Sequence, residues 1–378
     1  MTTFAAAVSQ HPIPTQAVGE VLGEVLDQLD GDRADLVVTF VSPHHAGALE
    51  DIAPAVRRLL EPQVLLGGTV VTVVAGEREL EDEPAVSVFA ARLPDARLTP
   101  TLLRVEQTPD GAAITGWPEL AAPPSTLLLF ADPFTFTVDA LLARLDQDLP
   151  DLQVIGGMAS AANRPGGNRL VLDASVVDGG AVGVFVDGVA VRTVVAQGCR
   201  PIGDPFTVTR SERNRIEELG GQTPLARLHQ LAANATDEER QLLQHGLHLG
   251  VVVDEHAVDF TRGDFLVRNV MGADQESGAL IVGDQVTVGQ TVQFHVRDAD
   301  AADEDLREML TGVEASAALL FTCNGRGRHL FGVPDHDAAL VAKMLGPIPV
   351  TGAFCAGEIG PVGGRNFVHG FTASLALF

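Results

Sequence analysis

The chain has 378 residues, 46% apolar and 20% charged, with 50 acidic against 25 basic side chains and a formal net charge of −25. That acidic excess excludes nucleic acid and anionic membrane surfaces as partners, since phosphate neutralisation needs clustered Lys and Arg, and the apolar stretches stay far short of the ~20 residues that cross a bilayer. Cys199, Cys323 and Cys355 are an odd set without C-x-x-C spacing, so neither a disulfide framework nor a cysteine zinc site is expected; an N-terminus without a positive leader points to the cytoplasm.

In chain order, residues 34–42 read as a strand, 49–60 as a helix, 63–68 as a strand ending in Gly67-Gly68, 70–84 as an acidic turn and 85–93 as a strand. A turn-rich connection over 108–125 follows. The pattern then returns: strand 126–132, helix 137–149, strand 153–157 ending in Gly156-Gly157, a Gly/Asn/Pro loop, and strands 170–177 and 181–188. Residues 189–208 read as two strands around a Gly/Pro turn, and 216–246 as helical, with Thr236 and Glu239 in capping-box spacing. Strands follow over 247–254, 265–272, 278–283 and 290–298. The pattern closes with strand 316–323, helix 335–345, strand 349–354, a glycine-rich loop over 355–366 and a last strand from His369. Phe40, Phe130 and Phe321 fall at equivalent strand ends, followed 27, 26 and 31 residues later by Gly67, Gly156 and Gly352. Such recurrence is the mark of one strand–helix–strand unit used three times. The fold expected is α/β, with mixed sheets built from repeated strand-helix-strand units in two halves, 1–212 and 213–378.

Residues 194–209, 296–306, 319–332 and 351–378 resemble the FIST family, and the likeness extends over nearly the whole chain, with an N-terminal and a C-terminal FIST-like domain. The resemblance implies a sensory module that binds a small ligand, an amino acid or a similar small anionic metabolite, and passes its output to a signalling partner protein. Some members are linked to haem, which keeps a haem-binding sensor as an alternative.

The residues that would meet such a ligand come from the strand ends and glycine-rich loops. Arg326, between Gly325 and Gly327, offers a guanidinium fork to a carboxylate or phosphate. In the loop 355–366, Cys355, Glu358 and Asn366 stand among glycines, and a carboxylate there would hold an amino group. Asn324, Arg297 and His369 complete the polar set, with Gly156 and Gly157 as the N-terminal counterpart, all expected around one cleft between the halves. Cys355 or Cys323 with His369 as base would instead make a hydrolase or transferase. An interaction module docking a basic partner is a third reading. The histidines, among them His44, His45, His245, His248, His329, His336 and His369, show no metal-ligand spacing. Lys343 is the only lysine, which removes PLP attachment and Walker-type phosphate binding. Composition names no cofactor.

Overall fold

The computed structural model describes residues 2–109, 111–256, 260 and 262–378. The chain forms two compact units, one of Met1–Val195, Leu306–Val368 and Thr372–Phe378, the other of Ala196–Asp305 and His369–Phe371. Among the described residues no helix is long and apolar enough to cross a membrane.

The larger unit is three repeats. The first comprises β1 (Thr3–Ser9), α1 (Pro14–Gln28), β2 (Leu36–Val41), α2 (Leu49–Leu60), β3 (Val64–Thr69), the hairpin β4 (Thr72–Ala75) and β5 (Arg78–Glu81), and β6 (Val86–Arg92). The second comprises β7 (Arg97–Thr108), β8 (Gly111–Thr115), β9 (Thr126–Ala131), α3 (Val138–Asp148), β10 (Gln153–Met158), the hairpin β11 (Leu170–Leu172) and β12 (Ser175–Val177), and β13 (Ala181–Asp187). The third opens with β14 (Arg192–Gln197). It is then interrupted by β15 (Cys199–Glu212), β16 (Arg215–Leu219), α4 (Pro224–Asn234), α5 (Asp237–His245), β17 (Leu247–Val252), β18 (Phe265–Ala273), β19 (Leu280–Val282) and β20 (Thr291–Arg297). It resumes with α6 (Ala299–Leu310), β21 (Ala318–Cys323), α7 (Arg328–Phe331), α8 (His336–Leu345), β22 (Val350–Cys355), the hairpin β23 (Glu358–Val362) and β24 (Arg365–His369), and β25 (Thr372–Leu377). The segment 70–84, expected as a turn, and the loop 355–366 are both hairpins, because each finds a strand edge elsewhere to pair with.

Those edges belong to other repeats. The three sheets run β1-β6-β2-β3-β11-β12, β24-β23-β10-β9-β13-β7-β8 and β14-β25-β21-β22-β4-β5. The second repeat's hairpin therefore completes the first sheet, the third's completes the second, and the first's completes the third. Registers agree at every step. Phe40 lies opposite Gly68, Phe130 opposite Gly157 and Phe321 opposite Ala353 in the three parallel pairs. On the exchanged strands, Leu170 faces Gly68, Glu358 faces Gly157 and Val73 faces Ala353.

β2, β9 and β21 are buried along their whole length, which is why they read as unbroken apolar runs rather than alternating ones. On one face Phe40 meets Phe130 at 5.4 Å and Phe321 at 6.1 Å between centroids, both edge-on. On another, α1 and α2 pack Val21, Leu22, Ile52 and Val56 against the first sheet, and α3 packs Leu141, Leu142 and Leu145 against the second. The paired glycines follow from this packing. A Cβ on Gly67, Gly156 or Gly352 would stand 1.8, 1.8 or 1.9 Å from the carbonyl oxygen of Thr39, Leu129 or Leu320 on the adjacent strand. A Cβ on Gly68 would stand 2.9 Å from the Phe130 ring, and one on Gly157 3.4 Å from the Phe321 ring.

The smaller unit is a closed six-stranded barrel in the order β15-β16-β19-β18-β17-β20, with Leu249, Val251, Val292, Phe294 and Val296 among its core. Of the stretch 216–246 expected as helix, Arg215–Leu219 is a barrel strand paired with β15 and β19. Thr236 caps α5 with Glu239 in the predicted capping box. The barrel is thus an insertion in the third repeat, between β14 and α6, where the first repeat has α1 alone.

Candidate functional site

The strand ends of the third repeat gather most of the residues singled out in the sequence. Cys323 and Cys355 lie in register on β21 and β22, and the backbone N–H of Asn324 donates to the Cys355 carbonyl at 2.9 Å. The turn that follows brings Arg326 back under the strands, where it is fully buried. Its Nε and Nη2 donate to both carboxylate oxygens of Asp337 at 2.6 and 2.8 Å, and its guanidinium lies 5.3 Å from the Phe331 ring. Asp337, in the first turn of α8, also accepts from the Thr322 hydroxyl at 2.8 Å. Against the burial that would raise it, Arg326 holds the Asp337 carboxyl below the usual carboxylate range. Arg326 therefore serves the fold rather than offering its fork to a ligand.

The exchanged hairpin reinforces this closure. Glu79 on β5 accepts from the backbone N–H groups of Asp337 and Ala338 at 2.9 and 3.1 Å, capping α8 from 258 residues away. Asp335 accepts in return from the Glu79 N–H at 2.7 Å. Burial, with the Asp337 charge behind it, pushes the Glu79 carboxyl up to about 8.

Glu358, opposite Gly157, is fully buried. One oxygen accepts from the Thr372 N–H and hydroxyl at 3.2 and 2.9 Å. Burial pushes this carboxyl up to about 8. Burial, followed by Glu358 and Cys323, likewise raises the Cys355 thiol well above its ordinary value, the reverse of what an activated nucleophile needs. Asn366 accepts from the Val154 N–H at 2.7 Å and donates to the Leu152 carbonyl at 2.8 Å, pinning the start of β10. Gly156 and Gly157 are closed over by β9, β23 and Cys355. The cleft expected between the glycine-rich segments is thus a continuous sheet.

Because the folded protein holds a proton on Glu358 up to about pH 8 and the unfolded chain releases it near 4.5, the folded state binds more protons between those values. The contribution of this carboxyl to stability therefore falls as pH rises from about 4.5 through about 8. Glu358→Gln should flatten part of that decline, raising the melting temperature at pH 8.5 by more than at pH 5; equal shifts at both would show the carboxyl ionised throughout.

Arg297 and His369 belong to the smaller unit. There the Arg297 guanidinium lies 5.3 Å from the Phe371 ring, and the His248 ring 4.4 Å from it. Burial, then the charges of Arg297 and His295, lowers His248 to about 4, and burial lowers His295 to about 4. Both imidazoles are neutral at pH 7. The side chain of His245 lies outside the described residues. Among the described residues no group of three or more His, Cys, Asp or Glu is placed to hold a metal ion.

An open concavity does exist, in the second repeat. It encloses about 570 Å3 between β7, the end of β9 and the hairpin β11–β12, and is lined by Arg104, Thr135, Arg169, Asp178 and the Gly179–Gly180 backbone among others. Its floor is braced by buried Asp132, which accepts from the Thr135 hydroxyl at 2.7 Å and the Asn168 amide at 2.9 Å. Thr135 in turn accepts from the Gly180 N–H at 2.9 Å. Arg169 donates to the Gly166 and Asn168 carbonyls, both at 2.8 Å, with Glu50 3.7 Å from its Nε. Among the described residues the exposed Arg104 side chain has no ion pair. In a chain of net charge −25, two guanidiniums and one carboxylate, Asp178, line this space. The sequence carried a signal for the floor, since Asp132 stands at the repeated strand end. It carried none for Arg104, which lies in a strand of mostly polar composition.

Comparison with known proteins gives the family model of the FIST N domain over residues 35–222 and that of the FIST C domain over 224–361. An uncharacterized protein of Mycobacterium bovis is 43% identical over 380 aligned residues, covering 98% of this chain and 97% of its own. Another, of Mycobacterium tuberculosis H37Rv, is 44% identical, covering 98% of each.

Proposed function

Since the chain belongs to the FIST family, whose domains are in general sensory, ligand-binding modules of signal transduction, we propose that it is a sensor for a small anionic metabolite, an amino acid in particular, bound in the concavity of the second repeat. The observation that carries this reading is the placement of Arg104, Arg169 and Asp178 around one space: the guanidiniums suit a carboxylate and Asp178 an ammonium. A volume of about 570 Å3 falls within the range of small-molecule sites. The braced Asp132–Thr135–Gly180 floor supports a preformed rather than an induced site. The output would pass to a partner protein. Cys199, Cys323 and Cys355 stand outside any disulfide, which supports a cytoplasmic setting.

Titration calorimetry against acidic and neutral amino acids and simple carboxylates tests the reading. Saturable binding by at least one is expected, weakened about tenfold to a hundredfold by Arg104→Glu, as the loss of a charge-assisted hydrogen bond implies. Equal affinity in wild type and variant would remove the site from consideration, and no binding at millimolar concentration by any of them would remove the ligand class.

A further inference from the structure

The three repeats place different chemistry at equivalent positions. Two residues past the phenylalanine of the first strand stand Ser42, Asp132 and Cys323; two residues past its partner on the second stand Val70, Ala159 and Cys355; on the exchanged hairpins stand Leu170, Glu358 and Val73. Apolar residues suffice for the last two positions in the other copies. The third copy alone sets two thiols side by side on adjacent strands, next to a buried carboxyl.

In-register residues of neighbouring strands project to one face, with backbones about 4.8 Å apart, inside the Cα separation of about 4.4 to 6.8 Å that a disulfide accepts. Both thiols lie on that face here. Cys355 Sγ is turned toward Gly157, where a Cβ would stand 2.3 Å from it. Cys323 Sγ accepts the Gly325 N–H at 3.4 Å and retains 6% exposure against none for Cys355. It thus sits nearest solvent, beside the exposed Asn324.

We propose that Cys323 and Cys355 form a reversible thiol-oxidation site, closing to an intramolecular disulfide on exposure to hydrogen peroxide. The Cys323 sulfur attacks one peroxide oxygen, the O–O bond breaks, and the departing hydroxide takes the thiol proton as water, leaving a sulfenic acid. The Cys355 sulfur then attacks the Cys323 sulfur, the S–O bond breaks, and the second hydroxide leaves as water with the Cys355 proton. Two thiols are oxidised and one peroxide is reduced to two waters. A reducing thiol restores both by exchange. Cys355 is wholly enclosed, so peroxide meets Cys323 first and Cys355 enters only in the second step. Cys199, buried in the smaller unit, takes no part.

The test is intact-mass analysis of the full chain after peroxide treatment, with peptide analysis after the remaining thiols are alkylated under denaturing conditions. Wild type and Cys199→Ser should each lose about 2 Da, yield a peptide crosslinked between 323 and 355, and recover with dithiothreitol. Cys355→Ser should instead gain about 16 Da in a form trapped by dimedone, and Cys323→Ser should do neither, each variant first shown to keep the wild-type circular dichroism spectrum. An unchanged wild-type mass, direct overoxidation without a crosslink, or a crosslink through Cys199 would overturn the proposal.

Discussion

Gly156→Ala is expected to prevent the protein from folding. The added methyl would stand 1.8 Å from the Leu129 carbonyl oxygen and 2.9 Å from its carbon, on a strand buried along its length. The backbone there also has φ of 151°, which an L side chain rarely adopts. Relief would require β9 and β10 to part, losing the parallel ladder between the two central strands of their sheet. The cost should exceed the ~4–5 kcal/mol that already counts as exceptional for one substitution. Gly67 repeats the geometry in the first sheet, with φ of 152° and the same 1.8 Å approach, and should behave alike. Gly23→Ala in α1, where a Cβ meets nothing within 4 Å, serves as the control and should stabilise by about 0.5 to 1 kcal/mol. Soluble yield and thermal melting decide it: a Gly156→Ala protein that melts with the wild type would contradict the packing of β9 on β10.

Asp337→Ala should cost about 3–5 kcal/mol in urea unfolding, the range for stripping one partner from a buried ion pair. Arg326 has no exposure through which to recover solvent, and the Thr322 hydroxyl and the Nδ1 of His336 lose the same acceptor. Replacing both partners with apolar residues, as in Arg326→Met with Asp337→Leu, should recover most of the loss, because the expense lies in the stranded charge and not in the missing pair. A single variant as stable as wild type would mean that water reaches Arg326, and would restore it as a ligand contact.

The contrast between these residues and the sequence reading shows where local pattern stops being informative. The repeat was legible because its cause is local: a phenylalanine and a glycine pair must recur wherever one strand ends against its parallel neighbour, and Phe40, Phe130 and Phe321 do meet. Most barrel strands and the Thr236 cap were legible for the same reason, whereas β16 fell in a stretch that reads as helix. The hairpin exchange was not, since Thr72–Glu81 and Glu358–His369 become strands only by finding edges more than 190 residues away in the sequence, Val73 against Ala353 and Glu358 against Gly157. The candidate site suffered similarly. A polar residue in a glycine-rich stretch reads alike whether it meets a ligand or a backbone; Asn366 and Arg326 were assigned by composition, whereas their roles were fixed by Leu152, Val154 and Asp337. Arg104 escaped notice because nothing near it in the chain hints at a concavity.

The circulation of hairpins among the three sheets bears on ancestry. A lone repeat of this kind would leave one sheet edge bare and its own hairpin unplaced, and could satisfy both only by handing the hairpin to a neighbouring molecule. Passing it round closes after three molecules, so the single-chain arrangement has the topology of a swapped homotrimer joined head to tail. Joined in one chain, the copies need not be identical. One could then accept a barrel between its first strand and the next, another could open a basic hollow, and the threefold frame would still hold.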